Sequence, residues 1–264
     1  MSIRQVVLLL TNNLCLSTQS LFKEIADGVD ISDDAFMLYH HQPGNEIPGF
    51  LSEVNSHIFT DDILYNLGYV PLFNKLLPGS NHFPLLDFYK KYSSYDYYWI
   101  IEDDVRFTGD WLFFFQYFSK LEEYDLVTSH VRFFEEEPYW YWWDTLKHSR
   151  YFIPFESRIR SFNPIYRVSR KALELLSDVL DMKWIGHHEV LLPTIISLGN
   201  LKLLDFGGNG RFVLPGSENK FYTSENEIGA LKKGTMRFRP VRRNAGPLKN
   251  KLYHPVKAKH SSLL

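Results

Sequence analysis

Cysteine is almost missing from this chain: Cys15 is the single one. An internal disulfide and a cysteine-based metal cluster are therefore excluded, and a reducing compartment is expected. An excess of charge is missing too. The formal net charge is −2 over 264 residues, which gives no basis for nucleic-acid binding or for an acidic interaction tail. Long apolar runs are also lacking. The first, Val6 to Leu10, is far shorter than the roughly 20 residues a membrane span needs. It has no small-residue cleavage site after it, and it reads as a buried first strand. Cytoplasmic residence is the expectation. Repeats and low-complexity tracts are absent.

What is abundant is aromatic. Phe, Tyr and Trp make up 16 % of the residues. That share serves packing, and it also suits sites that use ring faces as platforms for sugars. Short apolar runs alternate with helical patterns. "VVLLLTN" reads as a strand, and "STQSLFKEIADG" as a helix capped by Ser17 or Thr18 and ending near Gly28. "DAFMLYHH" reads as a strand, "FPLLDFYKKYSSY" as a helix and "YYWII" as a fully buried strand. "DWLFFFQYFSKL" reads as a helix and "YDLVTSHV" as a strand. "PIYRVSRKALELLSDVL" gives a strand edge and a helix. "HHEVLLPTIISLGN" is a helix kinked by Pro193 and stopped by Gly199, and "LKLLDFGGNG" is a strand entering a glycine turn. This alternation predicts an α/β fold with a mainly parallel sheet flanked by helices. From Ala230 onward the chain holds ten Lys and Arg and no Asp or Glu. That end is either a loose basic tail or a flap that folds over an anionic ligand.

The buried run Tyr97–Ile101 leads directly into Glu102, Asp103 and Asp104. In extended chain, alternate side chains share a face, so Glu102 and Asp104 point one way and Asp103 the other. Ligands of open α/β sheets bind outside the carboxyl ends of the strands. Carboxylates placed there suit a hard divalent cation, Mn²⁺ or Mg²⁺, which in turn neutralises a leaving diphosphate. The competing reading is a solvated strand end whose acids cap the next helix.

"YDYYWIIEDDVRFTGDW" resembles the metal-binding segment of GT-A-type glycosyltransferases, an apolar strand followed by a D-x-D-like triplet. Glu102 stands where that motif has its first Asp, one methylene longer, which makes Asp104 the firmer metal ligand. "NPIYRVSRKALELL" resembles the strand and helix after the acceptor loop, and "GHHEVLLPTI" the later acidic motif. "KLYHPVK" resembles the C-terminal segment whose His completes the metal site. The resemblance covers most of the chain in order.

It implies a single GT-A, Rossmann-like domain over residues 1–229 and a basic tail, 230–264, closing over the active site. The metal ligands would be Glu102, Asp104 and His254. Thr11, Asn12, Asn81, His82, Asp103 and Lys257 would face the donor, a UDP- or GDP-linked sugar. Glu189 would be the general base of an inverting transfer, and its bland reading is a helix-start acid favoured by the helix dipole. Trp140, Trp142 and Trp143 of "PYWYWWD", with His188, would meet a glycan or glycolipid acceptor. The basic tail would have peripheral contact with a membrane.

Two rivals differ in class. A nucleotidyltransferase also needs acids and a cation, but it carries a glycine- and Lys/Arg-rich stretch after the first strand, where this chain has "TNNLCLSTQS". A non-catalytic carbohydrate-binding domain would use the aromatics and not the acids. His187 and His188 lack the H-E-x-x-H spacing of a zinc hydrolase, and "DFGGNGRF" lacks the P-loop lysine and reads as a turn.

Overall fold

The computed structural model describes residues 3–76, 79–224 and 233–257. Among the described residues, nine strands and six α-helices follow one another: β1 (Gln5–Thr11), α1 (Leu16–Asp27), β2 (Asp34–His40), β3 (Ser56–Phe59), α2 (Ile63–Asn66), α3 (His82–Lys91), β4 (Tyr97–Glu102), β5 (Arg106–Phe107), α4 (Trp111–Ser119), β6 (Leu126–Phe133), β7 (Ile159–Ser169), α5 (Arg170–Asp181), α6 (His188–Leu198), β8 (Leu203–Asp205) and β9 (Leu252–Tyr253). Seven strands form one sheet in the order β3-β2-β1-β4-β7-β6-β8. All are parallel except β7, which runs against both β4 and β6. The expected mixed, mainly parallel sheet is therefore present.

Helices cover both faces. Along β1, Val6 and Leu8 point into one core, and Val7 and Leu9 into the other. β4 divides in the same way, Tyr98 and Ile100 against Trp99 and Ile101. A strand covered on both faces keeps no polar side, which is why "YYWII" shows no alternation. Helices α3, α5 and α6 pack on the first face and α1 and α4 on the second. Trp99 is fully buried among Phe114, Phe115 and Phe118 of α4, and its indole N–H donates to Gln5 Oε1 at 3.2 Å.

Three readings change. Helix α1 begins two or three residues earlier than a Ser17 or Thr18 cap implies. Cys15 is its N-cap and makes no side-chain cap bond, because Ser17 and Thr18 turn their hydroxyls onto the Cys15 sulfur. Strand β7 is not a short edge but eleven residues long and buried throughout. Its arginines mimic an exposed face yet are paired inside: Arg167 donates to the carbonyls of Phe118, Leu121 and Tyr124, which sit at and beyond the end of α4. Finally, the C-terminal segment is not loose where it is described. β9 pairs with β5, Met236 bridges His254, and Arg242 bridges Val256. The expected boundary at 229/230 lies outside the described residues. Among those residues, no helix is long and apolar enough to cross a membrane.

Candidate active site

Strands β1 and β4 are neighbours, and their carboxyl ends carry the first half of the site. Leu10 pairs with Glu102, so the acid cluster emerges beside Thr11. The chain turns after Glu102, and the three carboxylates separate. Asp103 accepts a 2.5 Å hydrogen bond from Thr11 Oγ1. Glu102 and Asp104 turn the other way, toward His254. His254 Nε2 lies 3.2 Å from Asp104 Oδ1 and 3.8 Å from Glu102 Oε2. One ligand atom from each of these three residues falls within 4.8 Å of the others.

The second half comes from the far part of the chain. The β5–β9 ribbon delivers His254, and the Val256 N–H donates to the Asp104 carbonyl at 2.8 Å. His254 Nδ1 donates to the Arg237 carbonyl at 2.8 Å. A ring held in this way presents Nε2 to the acids, as an outer hydrogen bond does for metal-ligating histidines. His254 also packs edge-on against Phe162, with ring centres 5.2 Å apart. Lys257 Nζ reaches Asp104 Oδ2 at 3.4 Å, although the lysine is largely exposed. Asn81 Nδ2 donates to Glu102 Oε1 at 2.6 Å.

These groups fit a divalent cation. Asp104 Oδ1 is buried and meets no aligned hydrogen-bond donor. A buried carboxylate oxygen in that condition is costly unless something cationic answers it. Two carboxylates and one imidazole suit Mn²⁺, or Mg²⁺ with water completing its shell. Burial pushes the Asp104 carboxyl up, but His254 and Lys257 outweigh burial and hold it below its ordinary value. Burial pulls His254 down, but Asp104 and Glu102 reverse that and raise it.

Glu189 stands beside this triad, in the first turn of α6. The His187 ring caps the helix, accepting from the Glu189 N–H at 3.3 Å. One Glu189 oxygen accepts from the Asn163 N–H at 3.2 Å, on β7. Burial drives the Glu189 carboxyl up to about 7, opposed by the Arg160 guanidinium and the Asn163 N–H. Glu102 also rises to about 7, from burial and then from Asp104. Its side chain keeps 31 % of its surface exposed against 13 % for Glu189, so Glu189 is the more enclosed of the two.

The aromatic segment Tyr139–Trp143 lies over the start of α6. Trp142 stacks on His187, with ring centres 4.6 Å apart and planes 20° apart. Trp140 carries the Arg160 guanidinium over its ring at 4.6 Å. Both are partly exposed. Trp143 is not: only 2 % of it is exposed, and its N–H donates to the Glu137 carbonyl, so it is packing and offers no face to a ligand. His188 is likewise buried, and its ring has no surface for an acceptor. His82 is buried against Phe83 at the start of α3, and burial holds its ring neutral, down at about 3. Asn81 turns its amide onto Glu102 rather than outward. Asn12 is exposed beyond β1.

Sequence reasoning missed Arg160, Asn163 and Gly79. Arg160 is 1 % exposed and pairs with Glu137 at 2.5 Å. Arg158 and Arg160, the first just before β7 and the second within its apolar start, were the available signal. Gly79 has φ +107°, and a Cβ there would sit 2.4 Å from the His187 ring. Only glycine fits that position, and its carbonyl accepts from the His188 N–H at 2.9 Å. A cavity of about 320 Å³ lies under Gln5, Asp33 and Glu122, at the opposite end of the strands from the acids. It has no part in this site.

No protein-family model and no curated protein matches the sequence. Solved structures do align with it. Glucosyl-3-phosphoglycerate synthase from Mycobacterium tuberculosis, in complex with Mn²⁺, UDP and phosphoglyceric acid, is 18 % identical, with a TM-score of 0.44, over 77 % of this chain and 68 % of that one. The same enzyme with Mg²⁺ and UDP aligns at 16 % identity and TM-score 0.44, over 81 % and 70 %. The galactosyltransferase LgtC, with donor and acceptor sugar analogues, aligns at 10 % identity and TM-score 0.45, over 78 % and 75 %. Likeness at this level carries no residue role over to this chain.

Proposed function

We propose that this chain is a metal-dependent glycosyltransferase of the GT-A type. It moves a sugar from a nucleoside-diphosphate sugar to a hydroxyl of a glycan or glycolipid, with inversion. The observation that carries this is the pairing of two units at one end of the sheet. One is a triad fit for a cation, Glu102, Asp104 and His254. The other is a buried carboxylate, Glu189, held near neutrality beside it.

Asp104, Glu102 and His254 would hold Mn²⁺ or Mg²⁺. When bound, the ion supplies the positive charge that a departing nucleoside diphosphate needs. Lys257, pointing at Asp104 from the exposed side, adds a second positive charge for that diphosphate. Thr11 ends β1 and Asn12 follows it, where the nucleoside would lie, and Thr11 fixes Asp103 for the ribose. Asn81 acts on the donor indirectly, by orienting Glu102.

Glu189 takes the proton from the acceptor hydroxyl. A base works best with a pKa near the operating pH, and burial brings Glu189 there. The Asn163 N–H holds one oxygen and leaves the other for the acceptor. Trp140, Trp142 and His187 form the acceptor wall, with sugar rings stacking on the exposed indole faces. The basic segment 233–257 closes the site and limits water access, protecting the donor from hydrolysis. The donor base under this reading is uridine or guanosine, and the enzyme works in the cytoplasm.

Titration calorimetry tests it. Nucleoside diphosphates are titrated with Mn²⁺ and with EDTA, into the wild type and Asp104→Ala. Metal-dependent binding of one nucleotide, lost in the variant, is expected. Absence of nucleotide binding under every condition removes the donor site and leaves glycan binding as the better account.

A further inference from the structure

The C-terminal segment has two faces, and only one serves the triad. Met236 bridges His254, with the two runs parallel. Alternation along extended chain then places Met236 and His254 on one side, and Thr235, Arg237 and Tyr253 on the other. Met236 is fully buried in the core, and His254 meets the acids. The opposite side opens into a separate cavity of about 260 Å³. Lys233, Arg237 and Arg242 line it, with Thr223, Thr235 and Tyr253. Among the described residues, no carboxylate lines it.

Two of these cations lack counter-charges among the described residues. Arg237 Nε donates only to the Pro240 carbonyl at 2.9 Å. Arg242 donates to the Gly234 carbonyl at 3.0 Å and lies over the Tyr253 ring, while its Nε is buried without a partner. Burial, and then the neighbouring Arg242, press the Arg237 pKa down. Cations crowded into a concave surface, with hydroxyls beside them, have the composition of an oxyanion site. Guanidinium groups offer planar forks of donors that match phosphate oxygens, and Tyr253 fixes one of these forks.

We propose that this cavity is a phosphate-binding site, distinct from the triad, that takes a soluble phosphate or diphosphate ester between Arg237 and Arg242. It does not depend on the transferase reading, because it shares no side chain with that site. It does share backbone with it. The Arg237 carbonyl holds His254, and the Arg242 N–H donates to the Pro255 carbonyl at 2.8 Å. An anion in the cavity therefore braces the segment that carries His254.

The test is calorimetric titration of the full chain with inorganic phosphate and with diphosphate, in EDTA so that no cation can recruit them to the triad. Wild type, Arg237→Gln, Arg242→Gln and Asp104→Ala are compared. Saturable binding is expected in the wild type and in Asp104→Ala. Each arginine variant should weaken it by about tenfold or more, the usual scale for losing a charge-assisted hydrogen bond. Arg242→Gln also removes a bond to Gly234. Arg237→Gln, partly exposed and holding only Pro240, gives the same readout without that loss of structure. Binding that survives both arginine changes overturns the proposal, as does an absence of saturable binding to either anion. Binding only to phosphatidylcholine vesicles carrying phosphatidic acid, and to neither free anion, overturns it in favour of a membrane surface.

Discussion

Glu189→Gln separates chemistry from stability within one side chain. The carboxyl is ordinarily half-ionised at 4.5 and rises to about 7 here, chiefly because it is buried. Below pH 4.5 it is protonated in both folded and unfolded chains and costs nothing. Between 4.5 and 7 the unfolded chain ionises it and the folded chain does not, so stability falls as pH rises. Above 7 the full cost stands. At about 1.4 kcal/mol per pKa unit, the ceiling is about 3 kcal/mol. Glutamine keeps the shape and can still accept from the Asn163 N–H, but it carries no charge to bury.

The variant should therefore be more stable than the wild type at pH 8, by up to about 3 kcal/mol. For a chain of this length that corresponds to about 6 °C in melting temperature. At pH 5 the advantage should shrink below about 1 kcal/mol. Turnover should fall about 10²–10⁴-fold, the usual worth of a general base, and donor affinity should hold. The wild-type rate should fall below about pH 7, as Glu189 takes up its proton. Thermal melts in EDTA at the two pH values, with initial rates in Mn²⁺, measure both sides. A stability gain that ignores pH refutes the buried charge. Near-normal turnover refutes the base.

Other outcomes follow from the same geometry. His254→Gln should weaken Mn²⁺ binding by about tenfold or more, since an imidazole ligand is lost; calorimetry with metal alone reads this. Wild-type Mn²⁺ affinity should fall as pH drops below about 7, where Glu102 takes up a proton that the metal must displace. Gly79→Ala should displace the His187 ring and raise the acceptor KM with little change in donor binding, because its Cβ meets that ring at 2.4 Å. Phe114→Ala, deep in the aromatic core under Trp99, should cost about 3–5 kcal/mol of stability in a denaturant melt.

The sequence was most readable where one strand serves one purpose. β1 and β4 are apolar on both faces and end together, so the acids that follow β4 are legible as a cluster at the carboxyl end of the sheet. β7 was harder, because buried arginines look like surface until their carbonyl and ring partners are known, and those partners lie far away in the chain. The aromatic run was half legible. Adjacent rings must point in different directions, but which one faces inward depends on a carbonyl at Glu137 that no local pattern indicates. His82 and His188 are polar residues at helix starts, where exposure is the ordinary expectation. The packing of α3 and α6 on the sheet buries both. His254 was named through resemblance alone; its Arg237 partner lies on a neighbouring run of chain, and nothing in "KLYHPVK" signals it.

The ribbon of β5 with β9 has a consequence for how the molecule comes into being. Glu102 and Asp104 leave the ribosome early, next to the strand they end. His254 follows 150 residues after Asp104, once every strand of the seven-stranded sheet has been synthesised. Through most of synthesis the acids therefore face each other without their basic partner. A nascent chain holding the finished sheet would be a folded body with its Glu102–Asp104–His254 cluster unfinished; under the proposed function it would not yet retain a cation tightly. Competence then arrives in one late step, when residues 251–254 dock alongside residues 106–108. Contacts so distant along the chain form slowly. In a refolding experiment the aromatic core should therefore regain its fluorescence before the protein regains its affinity for manganese.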